Sequence, residues 1–383
     1  MVIALGTGIA LPAIPVLAKS FDVGFGVASF VITAYLLGGL VGSLPTGWMI
    51  DRFGRGRILI AGPIITAVTA LLVITAQGFP ELLLYRFLGG WASLMWLMAR
   101  LAGISQRAEA GQRGRQVSWM FGMDNVGHLA GPLVGGFIAA AWGPRAPFAA
   151  YAVLALLALI PTIKYSAAPA ARRAAERAAV RTISLREIIL PRLSYFGVSF
   201  FSAVARGPLF GGMIYLYATY AYELDAPSIG LLATASSVIT LPIGFGAGWL
   251  MDRFGRKVTM VPGFLGVAIT MLLLAGTAFM QMPLPWFLAA FLTAVAAQGL
   301  TGGSVQTVGA DVAPPEARGL FLGMWRFVAQ IGTSLSPMAF AFLADHLGYG
   351  SSFIFVAVAA SIVVFLLIAL IPETRKAPER SLA

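Results

Sequence analysis

The sequence predicts an all-α membrane protein with twelve transmembrane helices in two six-helix bundles. Three observations carry this: the composition, a run of twelve apolar segments, and a loop motif that occurs twice. Of 383 residues, 59% are hydrophobic and only 11% are charged, and the mean hydropathy is +0.87. A soluble domain carries roughly 25% charge, so a soluble enzyme, a DNA-binding factor and a secreted disulfide scaffold are excluded. The chain has no cysteine, which removes disulfides, thiolate metal sites and cysteine nucleophiles. His128 and His346 are its only histidines, so neither a metal site nor a cofactor is expected.

The apolar segments fall at 1–18, 27–49, 58–77, 80–104, 116–142, 146–165, 194–220, 227–250, 258–279, 284–309, 318–344 and 350–371. Each is long enough to cross a hydrocarbon core of about 30 Å. The first opens at Met1 with no charged leader and holds Pro12 and Pro15; at about 17 residues it sits at the lower limit for a crossing. Lacking a basic leader and a small-residue cleavage site, it does not read as a signal peptide, and a late start or trimmed N-terminus is expected. The expected organisation is a first bundle over 1–165, a basic linker over 166–192, a second bundle over 193–372 and a tail over 373–383. The linker, rich in alanine and arginine, reads as a solvated tether or a surface helix against anionic headgroups.

The net charge of +11 is distributed unevenly. With a cytoplasmic N-terminus, the inside loops hold 20 of the 26 Lys and Arg residues, and the outside loops only Lys19 and Arg145. That bias orients the chain with both termini in the cytoplasm. The charge is therefore a topological signal, and no nucleic-acid partner is expected.

Internal repetition comes next. Gly47-Trp48-Met49-Ile50-Asp51-Arg52-Phe53-Gly54-Arg55 returns 201 residues later as Gly248-Trp249-Leu250-Met251-Asp252-Arg253-Phe254-Gly255-Arg256. Arg113-Gly114 and Pro132 are answered by Arg318-Gly319 and Pro337, each 205 residues on. Two such halves, related by an axis along the membrane normal, place a substrate site at their interface near mid-membrane.

On these residues the whole chain resembles the major facilitator superfamily. The loop from Gly47 through Asp51, Arg52, Gly54 and Arg55 is similar to that family's signature between the second and third helices, with Gly56 where the family has lysine. The second copy, with Asp252, Arg253, Gly255, Arg256 and Lys257, matches better. The resemblance implies that these charges latch one side of the membrane in one state and release it in the other; the bland alternative is a short turn anchored at the headgroups. Gly6, Pro12 and Pro15 in the first span resemble the first-helix motif of the twelve-helix drug:proton antiporters. Gly127, Gly131, Pro132, Gly135 and Gly136 in the fifth span resemble their antiporter motif, although Ser118 stands where the longer pattern has glycine. Ordinary small-residue helix packing is the competing reading of these glycines.

Charges inside spans are costly and normally face a cavity or a partner. Arg86, followed by Gly89-Gly90, resembles the family's R-x-x-x-G motif, to which a part in proton transfer is assigned. Asp124 is the one carboxylate clearly within a span of the first half, and His128 lies one turn on along the same face. Asp124 reads as a proton-coupling acid, with His128 extending the pH range, as half of a permanent ion pair with Arg206 or Arg326, or as a residue at the cytoplasmic end outside the cavity. Arg100 is near enough to the cytoplasmic end to snorkel. That leaves Arg86, Arg206 and Arg326 against one aspartate, a balance that favours an anionic, zwitterionic or neutral amphiphile over a cation. Tyr35, Trp325 and Gln298 are candidates to line the cavity with these arginines.

The function these readings favour is proton-driven export of small amphiphilic or drug-like molecules by alternating access. An organic-anion or metabolite transporter of the same fold, working in uptake, is the second reading, and a non-transporting membrane scaffold the third. No nucleotide-binding loop or nucleophile–base constellation points to ATP drive or to an enzyme. The expected partners are the cargo, protons and lipid, and the expected form is a monomer in a bacterial inner membrane.

Overall fold

The computed structural model describes residues 1–107, 113–166, 190–210, 212–314 and 317–373. Most of the expected linker and all but the start of the expected tail lie outside these residues. Every regular element among the described residues is helical. Among the described residues, ten helical segments are long and apolar enough to cross a membrane. They correspond to all the predicted spans except the fifth and the seventh. The fifth is one helix, Arg113–Trp142, in which Asp124, Asn125 and His128 lower the hydropathy. The seventh is split into Leu193–Phe210 and Met213–Ala221, with Gly212 left-handed at φ +90° between them. With these two, the twelve predicted spans are all present as helix.

Three other spans are also divided: the sixth into Ala146–Leu157 and Leu159–Ser166, and the first and tenth at a proline or glycine. The first divides into Val2–Ala10 and Ala13–Lys19 around Leu11-Pro12. Pro12 has no N–H to continue the hydrogen-bond ladder and its ring crowds the preceding turn. The tenth divides into Leu284–Gly299 and Ser304–Val312, and Gly303 between them has φ +73°. In lipid, such irregular backbone is tolerated only where protein or a polar cavity surrounds it. Large apolar side chains such as Leu44, Trp142 and Phe245 stand on the outer surface, where a bilayer gives them an apolar environment.

The chain divides into two compact units, Met1–Ala179 with Gly211–Ser237, and Val180–Phe210 with Val238–Ala383. In the first unit the fourth span, Phe79–Arg107, packs against the second, Phe25–Phe53, and the third, Arg55–Thr75. The fifth packs along the first piece of span one. This unit also takes in the second piece of span seven: Tyr220 Oη donates to the Val23 carbonyl at 2.8 Å, and Lys19 Nζ donates to the Thr219 carbonyl at 3.3 Å. In the second unit the ninth span packs on the tenth and twelfth, and the seventh on the eleventh, repeating contacts of the first unit.

The duplicated loop folds alike in both units. Gly54 and Gly255 have φ of +85° and +107°, a region that side chains with a Cβ avoid, which explains a glycine at that motif position. Trp48 meets Phe53 edge-to-face at 5.6 Å, and Trp249 meets Phe254 at 6.2 Å.

Candidate functional site

Glycines determine how the fourth span is seated. A Cβ on Gly90 would strike the carbonyl of Tyr35, and one on Gly38 would strike the carbonyl of Phe87. Spans two and four therefore meet backbone to backbone, and this brings the Tyr35 ring over Arg86, with the guanidinium carbon 4.5 Å from the ring centre. Arg86 is 9% exposed, and its Nε donates to the Val31 carbonyl at 3.4 Å. Nearby, Thr7 Oγ1 and Tyr151 Oη lie 3.1 Å apart, and Tyr151 is within electrostatic reach of Tyr35 and Arg86. The Tyr151 ring occupies the space left by Gly6. The R-x-x-x-G spacing thus has a local meaning: the glycine admits the helix that carries the arginine's aromatic cover.

Asp124 is paired with a residue on the neighbouring span. Arg100 Nη1 donates to its two carboxylate oxygens at 2.9 and 3.4 Å, with the side chains 17% and 15% exposed. The Met1 amino group lies 2.6 Å from Oδ1. Arg100 also stacks on Trp96 at 4.1 Å. The arginine expected to snorkel therefore holds the acid, a partner that the reading from sequence left out. His128 is exposed one turn along from Asp124.

The antiporter-like glycines form a seam. Gly127, Gly131 and Gly135 lie against backbone of Leu5, Gly8 and Ile9, with no room for a Cβ. Gly136 instead faces Ala226 and Pro227, and Gly230 faces the Pro132 carbonyl. Pro132 frees backbone at this point, so the fifth helix is pinned on one side by span one and on another by the start of span eight.

At the signature loops, Asp51 and Arg52 are exposed and Arg55 is buried. In the second copy Arg256 pairs with Asp311 at 3.0 Å and with Asp252 at 3.5 Å. Arg253 lies over the Trp249 and Phe254 rings at 5.4 and 5.6 Å. Glu373 crosses from the end of span twelve to accept the backbone N–H groups of Arg256, at 2.8 Å, and Lys257, at 3.1 Å. A carboxylate at a helix N-terminus meets partial positive charge and unpaired donors. Asp311 and Glu373 were not singled out from sequence; an acid at the end of span ten was a usable signal for the first, and the second had none nearby.

Of the other cavity candidates, Arg206 is half-buried and Arg326 exposed. Trp325 is 3% exposed, enclosed by Phe196, Phe321 and Gly309. Gln298 is 4% exposed just before the break in span ten, and its Nε2 has no hydrogen-bond partner among the described residues. Among the described residues, no cluster of His, Asp and Glu could hold a metal.

A family model described as Major Facilitator Superfamily matches residues 1–220 and 195–383, which together span the chain. The chain belongs to the major facilitator superfamily. It is therefore a membrane transporter and not an enzyme. Among facilitator relatives, the Quinolone resistance protein NorA of Staphylococcus aureus is 27% identical over 146 residues, 38% of this chain and 37% of that protein. Multidrug resistance protein 2 of Bacillus subtilis is 26% identical over 144 residues, 38% of this chain and 36% of that protein. The matches thus cover little more than a third of either relative. A solved D-xylose-proton symporter superposes with a TM-score of 0.78 at 21% identity, covering 98% of this chain and 97% of that one. The inward open xylose transporter XylE from E. coli gives 0.76 at 19% identity, covering 98% and 96%. At such identities these two show the facilitator fold alone.

Proposed function

We propose that this facilitator exports small amphiphilic, drug-like molecules in exchange for protons, by alternating access between bundles formed by 1–165 and 193–372. The glycine seam of the fifth span carries the reading. Gly127, Gly131 and Gly135 clamp that helix to span one on either side of Pro132, the glycine-and-proline arrangement that an antiporter-type motif calls for. The drug-resistance names of the two bacterial relatives support the same direction.

In this cycle Asp124 is the coupling acid. Bound to Arg100 it is ionised and ties spans four and five together. A proton on Asp124 cancels one charge, weakens that tie and lets the hairpin shift; loss of the proton restores it. His128 extends the pH range of the response. Arg86 keeps its charge throughout, since a guanidinium does not give up its proton in a protein, and acts as a fixed field rather than a carrier. Asp51, Arg52, Asp252 and Arg253 latch the loops at the cytoplasmic face, where both termini lie. Residues 166–192 tether the bundles, 373–383 form the tail, and the protein works as a monomer in a bacterial inner membrane.

The test uses the full chain in liposomes with an imposed pH gradient and a fluorescent quinolone as cargo. Gradient-driven accumulation is expected, and it is abolished in Asp124→Asn while downhill exchange continues. Accumulation indifferent to the gradient in the unaltered chain overturns proton coupling, and unchanged coupling in the variant removes Asp124 from it.

A further inference from the structure

We propose that Arg86, under its Tyr35 cover, is the recognition point for a carboxylate carried by the cargo. The inference rests on the reading of the chain as an exporter of amphiphiles and adds the group those molecules bear. Arg86 is nine-tenths buried. Of the five donors of its guanidinium, only Nε has an acceptor among the described residues, the Val31 carbonyl, and at 3.4 Å that bond is long. No described carboxylate lies within ion-pair distance of it.

A buried charge without a counter-charge is costly, and the Tyr35 ring face offsets only part of that cost. No described acid of the first unit pairs with it; Asp22, Glu223 and Asp225 lie in the connections after spans one and seven. Asp124 is held by Arg100, which lies fourteen residues along the same helix, about 21 Å away at 1.5 Å per residue. Glu81, in the first turn of that helix, accepts the backbone N–H of Gln77 at 2.9 Å. Asp51 is exposed beyond the other end. None of the described acids thus supplies the counter-charge for Arg86, which a bound anion would provide.

The surroundings select its chemistry. A planar guanidinium with both terminal nitrogens unengaged matches the two oxygens of a carboxylate. The hydroxyls of Thr7 and Tyr151, 3.1 Å apart and on two further helices, supply polar groups beside it. Neutral amphiphiles leave the guanidinium unsatisfied, and cations are repelled.

The decisive experiment measures equilibrium binding of pyrenebutyrate and of its methyl ester to the purified full chain in detergent. The two probes share a ring system and differ in charge. The unaltered chain is expected to bind the acid roughly 10-fold or more tightly than the ester, the increment of charge-assisted hydrogen bonds. In Arg86→Gln the acid and ester bind alike, and Arg86→Lys keeps part of the preference. Equal affinities in the unaltered chain overturn the proposal without recourse to any variant, as does a preference that survives Arg86→Gln. Displacement of the acid by chloride but not by gluconate assigns the site to an inorganic anion and overturns it too. The same probes in pH-gradient liposomes separate the two readings. If the ester is driven and the acid has no advantage, export stands and this site falls; if the acid is preferred but neither is driven, recognition stands and proton-coupled export falls.

Discussion

Asp124 and Arg100 face each other across the hairpin of the fourth and fifth spans, with Arg100 Nη1 2.9 Å from the carboxylate. Both are mostly shielded, so removing either leaves its partner charged and poorly solvated. A double-mutant cycle of Asp124→Asn and Arg100→Gln, read by thermal unfolding in detergent, is expected to give a coupling of roughly 1–3 kcal/mol. Additive effects contradict a direct pair.

Gly38 and Gly90 hold the second and fourth spans in backbone contact. Alanine at either position inserts a methyl group where a carbonyl stands, and overpacking of this kind costs roughly 1–3 kcal/mol. Gly276, in the ninth span, has open space where its Cβ would go, so Gly276→Ala is expected to leave the melting temperature unchanged or raise it. A similar fall for all three variants removes the packing argument.

The loop glycines Gly54 and Gly255 differ in what a side chain would meet. Both have positive φ, and alanine there carries a backbone strain of order 1–3 kcal/mol. At Gly255 the new Cβ also meets the Glu373 carboxylate, whereas nothing lies near Gly54. Gly255→Ala is therefore the more damaging of the pair, which differential scanning of the two variants checks.

Glu373→Gln removes the charge that caps the ninth span. The expected loss is about 0.5–2 kcal/mol, the range for helix N-terminal caps. Hydrogen exchange at the Arg256 and Lys257 amides, which lose their charged acceptor, should accelerate while exchange in the first unit stays as it was. Unchanged exchange at both amides contradicts the cap.

The architecture was legible because hydropathy alone decides where helices cross. The predicted limits of the second span, 27–49, sit inside the observed Phe25–Phe53, and those of the ninth agree almost to the residue. Breaks in the seventh and tenth spans were not, although the left-handed Gly212 and Gly303 each lie in a glycine-rich stretch, with Pro208 before the first and Gln298, Thr301 and Ser304 around the second. In the site, Asp124 stood out as an acid in hydrocarbon. Its partner was passed over because Arg100 was weighed by its distance from the helix end, not by its place across the hairpin. The role of Gly90 was hidden because its meaning lies in Tyr35, on another helix. Contacts such as Arg256–Asp311, 55 residues apart, leave no periodic trace.

The Glu373 contact also bears on how the molecule is made. This residue leaves the ribosome 117 positions after Arg256. The start of the ninth helix is thus inserted with its first amides lacking that acceptor, and the turn before it is finished only once the last hydrophobic segment has been delivered. The second signature loop is consequently completed only after the twelfth span has been made, more than a hundred residues after the loop itself.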